Sequence, residues 1–437
     1  MTTPAKTAKP PIEAGTVKAI LAASSGNLVE WFDFYTYAFF SVYFAEQFFT
    51  GTGQTGAWVK SAAVLFVGFL MRPAGGYIFG RLADRKGRKY SMMAAIILMC
   101  AGSLMLAVLP TASVVGKLAP WLLLAVRCIQ GISVGGEYGS TATYMSEIAT
   151  EGRRGFYSSF QYVTLIGGQL LASLLAVIMT HTIGGDAITA GWWRLPFVIG
   201  AAAAVVSLFL RSSLEESMEA ADAEKKGSGT FREVLAYPRA FWVVFGLTCI
   251  GSLAFYTFST YMQKHLIGTS GFSKGEATDI MTLCLFIFMI MQPLIGMWSD
   301  SIGRKNSMLI FGVAMVVLPI PIFSALSHTK NPWIAIALIL VSMFFLSFYT
   351  SISGIVKAEM FPAHVRALGV GFTYAIGNSL FGGSAEMIAL SFKQHGHGTW
   401  FPLYMTIIAV LGLVAVLFMK DNRIHSTIDG EKQQPSE

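Results

Sequence analysis

Apolar stretches of about 20 residues or more recur along the chain near 18 to 48, 56 to 82, 90 to 109, 119 to 148, 156 to 181, 192 to 212, 239 to 265, 275 to 298, 306 to 327, 332 to 358, 367 to 392 and 399 to 420. A helix rising about 1.5 Å per residue needs about 20 residues to cross roughly 30 Å of hydrocarbon. The recurrence therefore predicts an all-α membrane protein with twelve transmembrane helices. Composition agrees: 54% of the 437 residues are apolar and 13% are charged, whereas a soluble domain carries about a quarter charged. A soluble enzyme of this size is excluded.

The net charge of +7 reflects topology. With the N-terminus inside, 21 of the 31 Lys and Arg fall on cytoplasmic segments and 6 on outer loops, which is a strong positive-inside bias. Both termini are expected in the cytoplasm. Because the basic residues are dispersed between spans, no nucleic-acid partner is expected. The first 17 residues are polar, and the stretch after them carries Glu30 and Asp33, unlike a cleavable signal core. Cys100, Cys128, Cys249 and Cys284 lie in apolar stretches without paired spacing, so no disulfide framework is indicated. His395 and His397 are two donors in a loop and read as solvated; neither a metal nor a cofactor is expected.

One segment breaks the apolar pattern. Ser213 to Arg239 holds ten charged residues in 27 and reads as a soluble linker between two six-helix halves. The expected organisation is a tail (1–17), an N-terminal six-helix bundle (18–212), a linker (213–238), a C-terminal six-helix bundle (239–420) and a second tail (421–437). The halves repeat: GRLADRKGRK from Gly80 to Lys89 returns as GMWSDSIGRK from Gly296 to Lys305, an offset of 216. Glu147 with Arg154 returns as Glu359 with Arg366 at an offset of 212. Two signatures at nearly one offset predict pseudo-symmetric bundles and a cytoplasmic charge network built from those four residues.

The loop after the second span combines Gly87 with Asp84, Arg85, Arg88 and Lys89. Such a loop can form a charge-assisted network at the cytoplasmic surface, or serve topology alone. With its second copy it makes Gly80, Asp84, Gly87, Arg88, Asp300, Gly303 and Arg304 candidates for a gate. In the fourth span, Arg127, Gln130, Ser133 and Glu137 fall on one side at 100° per residue; in the first, Glu30, Asp33 and Tyr37 do the same. Ionisable groups within a span are costly enough that function is the default reading. The two carboxylates need a partner or a proton, and Arg127 is the obvious partner. All seven histidines fall in loops, tails or span ends, so histidine is set aside as the buried proton carrier.

In the second half, Thr257, Thr260, Tyr261 and Lys264 share one face, Ser347, Thr350, Ser351 and Gly354 another, and Tyr374 with Asn378 a third. Hydroxyls and one cation suit a polar anionic solute, although Lys264 has the alternative of snorkelling to the outer interface. Glu386 and Lys393 are a candidate local ion pair. No GxxxxGK[ST] loop occurs, which disfavours primary active transport and leaves an ion or solute gradient as the energy source.

Over roughly residues 20 to 420 the sequence resembles the metabolite:proton symporter branch of the major facilitator superfamily. The resemblance rests on SSGNLVEWFDFY (Ser24 to Tyr35), GFLMRPAGG (Gly68 to Gly76), QGISVGGEYG (Gln130 to Gly139), FQYVTLIGGQLL (Phe160 to Leu171), FYTFSTYMQK (Phe255 to Lys264), FYTSISGIVKAEMFPAHVRALGVG (Phe348 to Gly371) and FGGSAE (Phe381 to Glu386). The second loop copy, GMWSDSIGRK, is a weaker match, and the tail after Asn422 has no assigned role. The resemblance implies the major facilitator fold, alternating access, and a latch in which Asp84 holds the halves together. It also implies proton-coupled uptake of a C5 dicarboxylate, alpha-ketoglutarate first. Related sugar:proton symporters pair a first-helix aspartate with a fourth-helix arginine, matching Asp33 and Arg127.

The proton-coupling candidates are thus Asp33, Glu30 and Glu137. For substrate they are Arg127 first, Arg72 and Lys264 for the distal carboxylate, and Tyr37 and Gln130. Gln161, Gln169, Tyr256, Thr257, Tyr261, Tyr374 and Asn378 complete the set. Citrate, shikimate or betaine are the alternative substrates and export the alternative direction. The expected partners are a small dicarboxylate, protons and the bilayer, with the monomer as the functional unit.

Overall fold

The structure, a computed structural model, describes residues 14–86, 88–134, 152–212 and 234–419. In hydrocarbon every backbone N–H and C=O must find its partner within the segment, which an α-helix achieves. Among the described residues there is accordingly no strand. The long helices are α1 (Ala14–Phe48), α2 (Gly53–Leu70, running on through Arg72–Lys86), α3 (Arg88–Val108), α4 (Ala119–Val134), α5 (Arg154–Thr182), α6 (Leu195–Ser212), α7 (Pro238–Tyr256, with its continuation to Ser270), α8 (Lys274–Ile302), α9 (Arg304–Val317 and Pro319–His328), α10 (Pro332–Thr350), α11 (Ala363–Gly377 and Ala385–Gln394) and α12 (Trp400–Leu417). Among the described residues eight helices are long and apolar enough to cross a membrane, and nine if the two parts of α9, bent by 49°, are one span. The bend falls where Pro319 removes a backbone donor. The other three segments, α1, α3 and α11, are helical as well. Most of the linker, together with Gly87, Glu137 and Glu147, lies outside the described residues.

Within the first half α1 packs on α5 and α6, α2 on α4, α3 on α4 and α6; within the second, α7 packs on α11 and α12, α8 on α10, α9 on α10 and α12. The second set is the first shifted by six helices. The halves meet along α5 with α8 and along α2 with α11, two interfaces that the same shift exchanges. The fold is therefore two pseudo-symmetric bundles. Close approach at the seam depends on glycine: a Cβ on Gly155 of α5 would stand 2.6 Å from the carbonyl oxygen of Gly296 of α8.

The interior is largely apolar, but the surface is apolar as well, unlike that of a soluble protein. Trp121, Trp192, Trp333 and Trp400 are exposed, each at or just before the start of an even-numbered helix, while Trp242 and Trp298 are exposed at the opposite ends. Two aromatic levels of this kind mark the two faces of a bilayer. The charges go inward: Asp33, Arg127, Lys264 and Lys357 are all at most 3% exposed.

Candidate functional site

The first half builds a charged unit from four helices. Arg127 Nη1 donates to Gln130 Oε1 at 2.7 Å, one turn along α4, and Gln130 Nε2 donates to Asp33 Oδ2 of α1 at 2.8 Å. Ser103 Oγ of α3 donates to the other oxygen, Asp33 Oδ1. Gly200 of α6 leaves room for this carboxylate, since a Cβ there would lie 2.8 Å from Oδ1. The direct ion pair expected between Asp33 and Arg127 is thus replaced by one bridged through Gln130, whose amide presents an acceptor to the cation and a donor to the anion. The Arg127 guanidinium lies 4.3 Å from the Tyr37 ring centre and 5.3 Å from that of Phe34, and its Nε has no partner. The Tyr37 hydroxyl is hydrogen-bonded to Ser61 of α2. Glu30, Asp33, Arg72, Arg127 and Gln130 all line one narrow pocket of about 10 Å³, space for a single water.

Arg72 projects toward the seam, 4.0 Å from the Phe69 ring centre, 4.8 Å from Phe34 and 5.3 Å from Trp31. Such cation–π contacts hold a guanidinium in an apolar setting without consuming its N–H donors, and Arg72 Nη2 has no partner. Beside it lies the phenol of Tyr256, which also neighbours Tyr35 and Asn378. Gln169 of α5 reaches across the seam to donate to Ser259 O at 2.9 Å and toward Thr260 Oγ1 at 3.3 Å. Gln161 of α5 and Thr257 of α7 are also buried, each with an unpartnered polar atom.

In the second half α7 and α11 both depart from α-helical winding. Thr257–Tyr261, Leu266–Ser270 and Asn378–Gly382 are π-helical turns, which are rare and concentrate at functional sites. The first carries Thr257, Thr260 and Tyr261, and the third opens on Asn378. Lys264, between the first two, does not snorkel: its Nζ is 2.7 Å from Glu386 Oε1 of α11 and donates to Ala38 O of α1 at 3.3 Å. Glu386 therefore pairs with Lys264 and not, as its own helix suggested, with Lys393. Lys357 is buried 4.5 Å from the Tyr374 ring centre and 5.3 Å from Tyr349. His265 is also buried, within a helix that continues to Ser270, so it is not at a span end. It packs between Tyr261 and Phe323.

Among the described residues, contacts join α5 and α8 at both ends of the seam. At one, Asp300 of α8 accepts the N–H groups of Gly155 at 2.7 Å and Phe156 at 3.1 Å. These are first-turn donors of α5 that the helix itself cannot satisfy, at the positive end of its dipole. Close by in sequence, Arg304 pairs with Glu359 at 3.0 Å, and Arg366 donates to the carbonyls of Ala358 and Phe361. Arg154 is buried in the first turn of α5. Gly303 turns the chain at φ 92°, which glycine tolerates. The side chains of Gly80, Asp84 and Arg88 lie outside the description. At the other end His181 of α5 meets Asp279 of α8 at 3.1 Å, and Lys274 lies 5.1 Å from the Tyr43 ring centre.

The Asp300 contact gives a first prediction. Asp300→Ala removes two charge-assisted bonds, each worth about 1.5 to 3 kcal/mol. The fraction of molecules open at that end should rise at least tenfold, read as distance distributions between spin labels on the α4–α5 and α8–α9 loops. Unchanged distributions would mean that Asp300 does not hold the halves together.

Ser103, Glu386, Lys357 and His265 were not singled out from sequence as site residues. Ser103 stands in an unremarkable apolar run, and the other three are ionisable groups whose burial depends on the π turns or on neighbouring helices.

The chain matches the family model of the Major Facilitator Superfamily over residues 23–385 and 263–436. It is 53% identical over 401 residues to the alpha-ketoglutarate permease of Escherichia coli K12, covering 92% of this chain and 93% of that one. It is 30% identical to the citrate-proton symporter of Salmonella typhi, with 94% and 96% covered, and 31% identical to the proline/betaine transporter of Escherichia coli K12, with 92% and 83% covered. Among solved structures, the D-xylose-proton symporter aligns with a TM-score of 0.69 at 19% identity over 92% of this chain and 96% of that one. The inward-open xylose transporter of E. coli aligns at 0.70 and 18%, over 96% and 100%. These two establish the fold.

Proposed function

Because the chain belongs to the Major Facilitator Superfamily, we propose that it carries out proton-coupled uptake of a dicarboxylate, alpha-ketoglutarate, by alternating access. It is a multi-pass membrane transporter and not an enzyme. The observation that carries the proposal is the bridged unit Asp33–Gln130–Arg127, buried beside the seam between the halves. A guanidinium suits a carboxylate because its planar fork makes two parallel hydrogen bonds. In the unloaded protein Asp33 holds Arg127 through Gln130. When Asp33 takes up a proton, the unit loses its anion and Arg127 turns to the substrate, so that proton and substrate favour each other by linkage. Arg72, with a free Nη2 at the seam, supplies a second cation. Tyr37, Gln161, Gln169, Tyr256, Thr257, Tyr261, Tyr374 and Asn378 supply the polar lining, while Glu30 and Glu137 are the alternative proton carriers.

The Lys and Arg bias supports a bacterial inner-membrane protein with both termini in the cytoplasm. Each half supplies part of one central site, so a monomer suffices. The gate is assigned to the two loop copies, with Asp84 and Asp300 as latches, and the charge network to Glu147, Arg154, Glu359 and Arg366.

The test is uptake of labelled alpha-ketoglutarate into proteoliposomes. An outside-acidic gradient should drive accumulation that a protonophore abolishes, and an inside-acidic gradient should not. Unlabelled diacids should compete. Competition by betaine in preference to diacids would favour an osmolyte carrier, and uptake indifferent to both gradient and protonophore would remove proton coupling.

A further inference from the structure

We propose that Glu386 is an internal stand-in for one carboxylate of the substrate: it neutralises Lys264 until the diacid displaces it, and it then takes up a proton. This rests on the reading above of a proton-coupled dicarboxylate carrier. Lys264 and Glu386 are 1% and 5% exposed and 2.7 Å apart. Taking one partner from a buried pair leaves an uncompensated charge. A substrate carboxylate that replaces the Glu386 carboxylate on Lys264 avoids that cost, because the cation keeps an anion throughout.

Three features distinguish the pair from a structural tie. Only one oxygen of Glu386 is used: Oε2 is buried with no hydrogen-bond partner, whereas a buried carboxylate kept for stability has its lone pairs satisfied. Lys264 sits between the two π turns of α7, and Glu386 follows the π turn of α11, so both partners stand where the winding can change. Lys264 also bonds Ala38 O in the opposite half, and its release therefore acts on the contact between halves. Among the described residues the titratable groups facing Glu386 are Lys264 and Tyr261 of α7 and Tyr37 of α1. Tyr37 lies against Arg127 as well. The two cation sites are thus joined through one tyrosine, an arrangement suited to a short diacid with an anion at each end.

Displaced from its cation, Glu386 stays in an apolar core and takes a proton from the side open to solution. One internal carboxylate then answers each substrate carboxylate, Asp33 on one side and Glu386 on the other. The stoichiometry is two protons per dianion, and the cycle moves no net charge.

The test measures coupling in proteoliposomes: the pH difference that balances a set alpha-ketoglutarate gradient gives the proton number, and a potassium diffusion potential reports net charge. The wild type should carry two protons per diacid, with flux unchanged by the potential. Glu386→Gln should carry one and become potential-sensitive, and the purified variant should bind the diacid about tenfold tighter near neutral pH because its internal competitor is gone. Glu386→Gln with the wild-type proton number overturns the proposal. So does a wild type whose flux follows the potential as a one-proton carrier's would, a result that needs no variant to fold. A wild type that moves no alpha-ketoglutarate under any gradient removes the transport reading itself, and this proposal with it.

Discussion

Replacing Arg127 with lysine is expected to lower alpha-ketoglutarate uptake by about ten- to a hundredfold although the charge is kept, corresponding to about one charge-assisted hydrogen bond of 1.5 to 3 kcal/mol. The guanidinium is used as a plane: it lies against the rings of Tyr37 and Phe34 while its edge donates to Gln130. An ammonium is a point donor and cannot hold Gln130 and present a parallel pair of N–H groups to a carboxylate. The loss should appear in substrate affinity and in rate, measured on protein shown to be inserted and monodisperse. A lysine variant with unchanged affinity and rate would remove Arg127 from the binding site.

Asp33→Asn is expected to separate movement from accumulation. Asparagine keeps an acceptor for Ser103 but turns an amide donor toward the Gln130 donor, so it loosens the bridge to Arg127 and mimics a permanently protonated carboxyl. The variant should bind alpha-ketoglutarate and exchange labelled for unlabelled substrate. One proton is lost from the coupled reaction, and each is worth about 1.4 kcal/mol per pH unit. The concentration ratio reached at zero potential should therefore fall about tenfold for each pH unit of imposed gradient. In the wild type binding should tighten as the medium goes from neutral to mildly acidic, and in Asp33→Asn this dependence should weaken. If Asp33→Asn still concentrates substrate to the wild-type level, the coupling residue is Glu30 or Glu137.

What the sequence disclosed follows from the range over which each signal acts. Hydrophobic length is local, and each expected segment is helical where the residues are described. The repeat of two loop signatures anticipated the six-helix shift that the packing obeys, because like sequences make like contacts. Spacing on one helix put Arg127 with Gln130 and Asp33 with Tyr37 on shared faces, and those residues do converge. Periodicity says nothing about which helices touch. It could not place Gln130 between Asp33 and Arg127, nor bring Lys264 to Glu386, 122 residues away. It also assumes 100° per residue, which the π turns at Thr257–Tyr261 and Asn378–Gly382 violate. Lys264 and His265 read as span-end groups for a related reason: whether a cation near a helix end reaches water depends on neighbouring helices.

The central claim is that substrate binding and protonation of buried carboxylates are one linked event. Its most direct test is the pH of a lightly buffered solution of the purified protein, recorded near neutrality as alpha-ketoglutarate is added. The account predicts that binding draws protons from solution, so that the medium turns alkaline in proportion to the protein, and that Asp33→Asn takes up one proton fewer per molecule bound. Saturable binding without a pH change in the wild type, or the same proton uptake in Asp33→Asn as in the wild type, would contradict it.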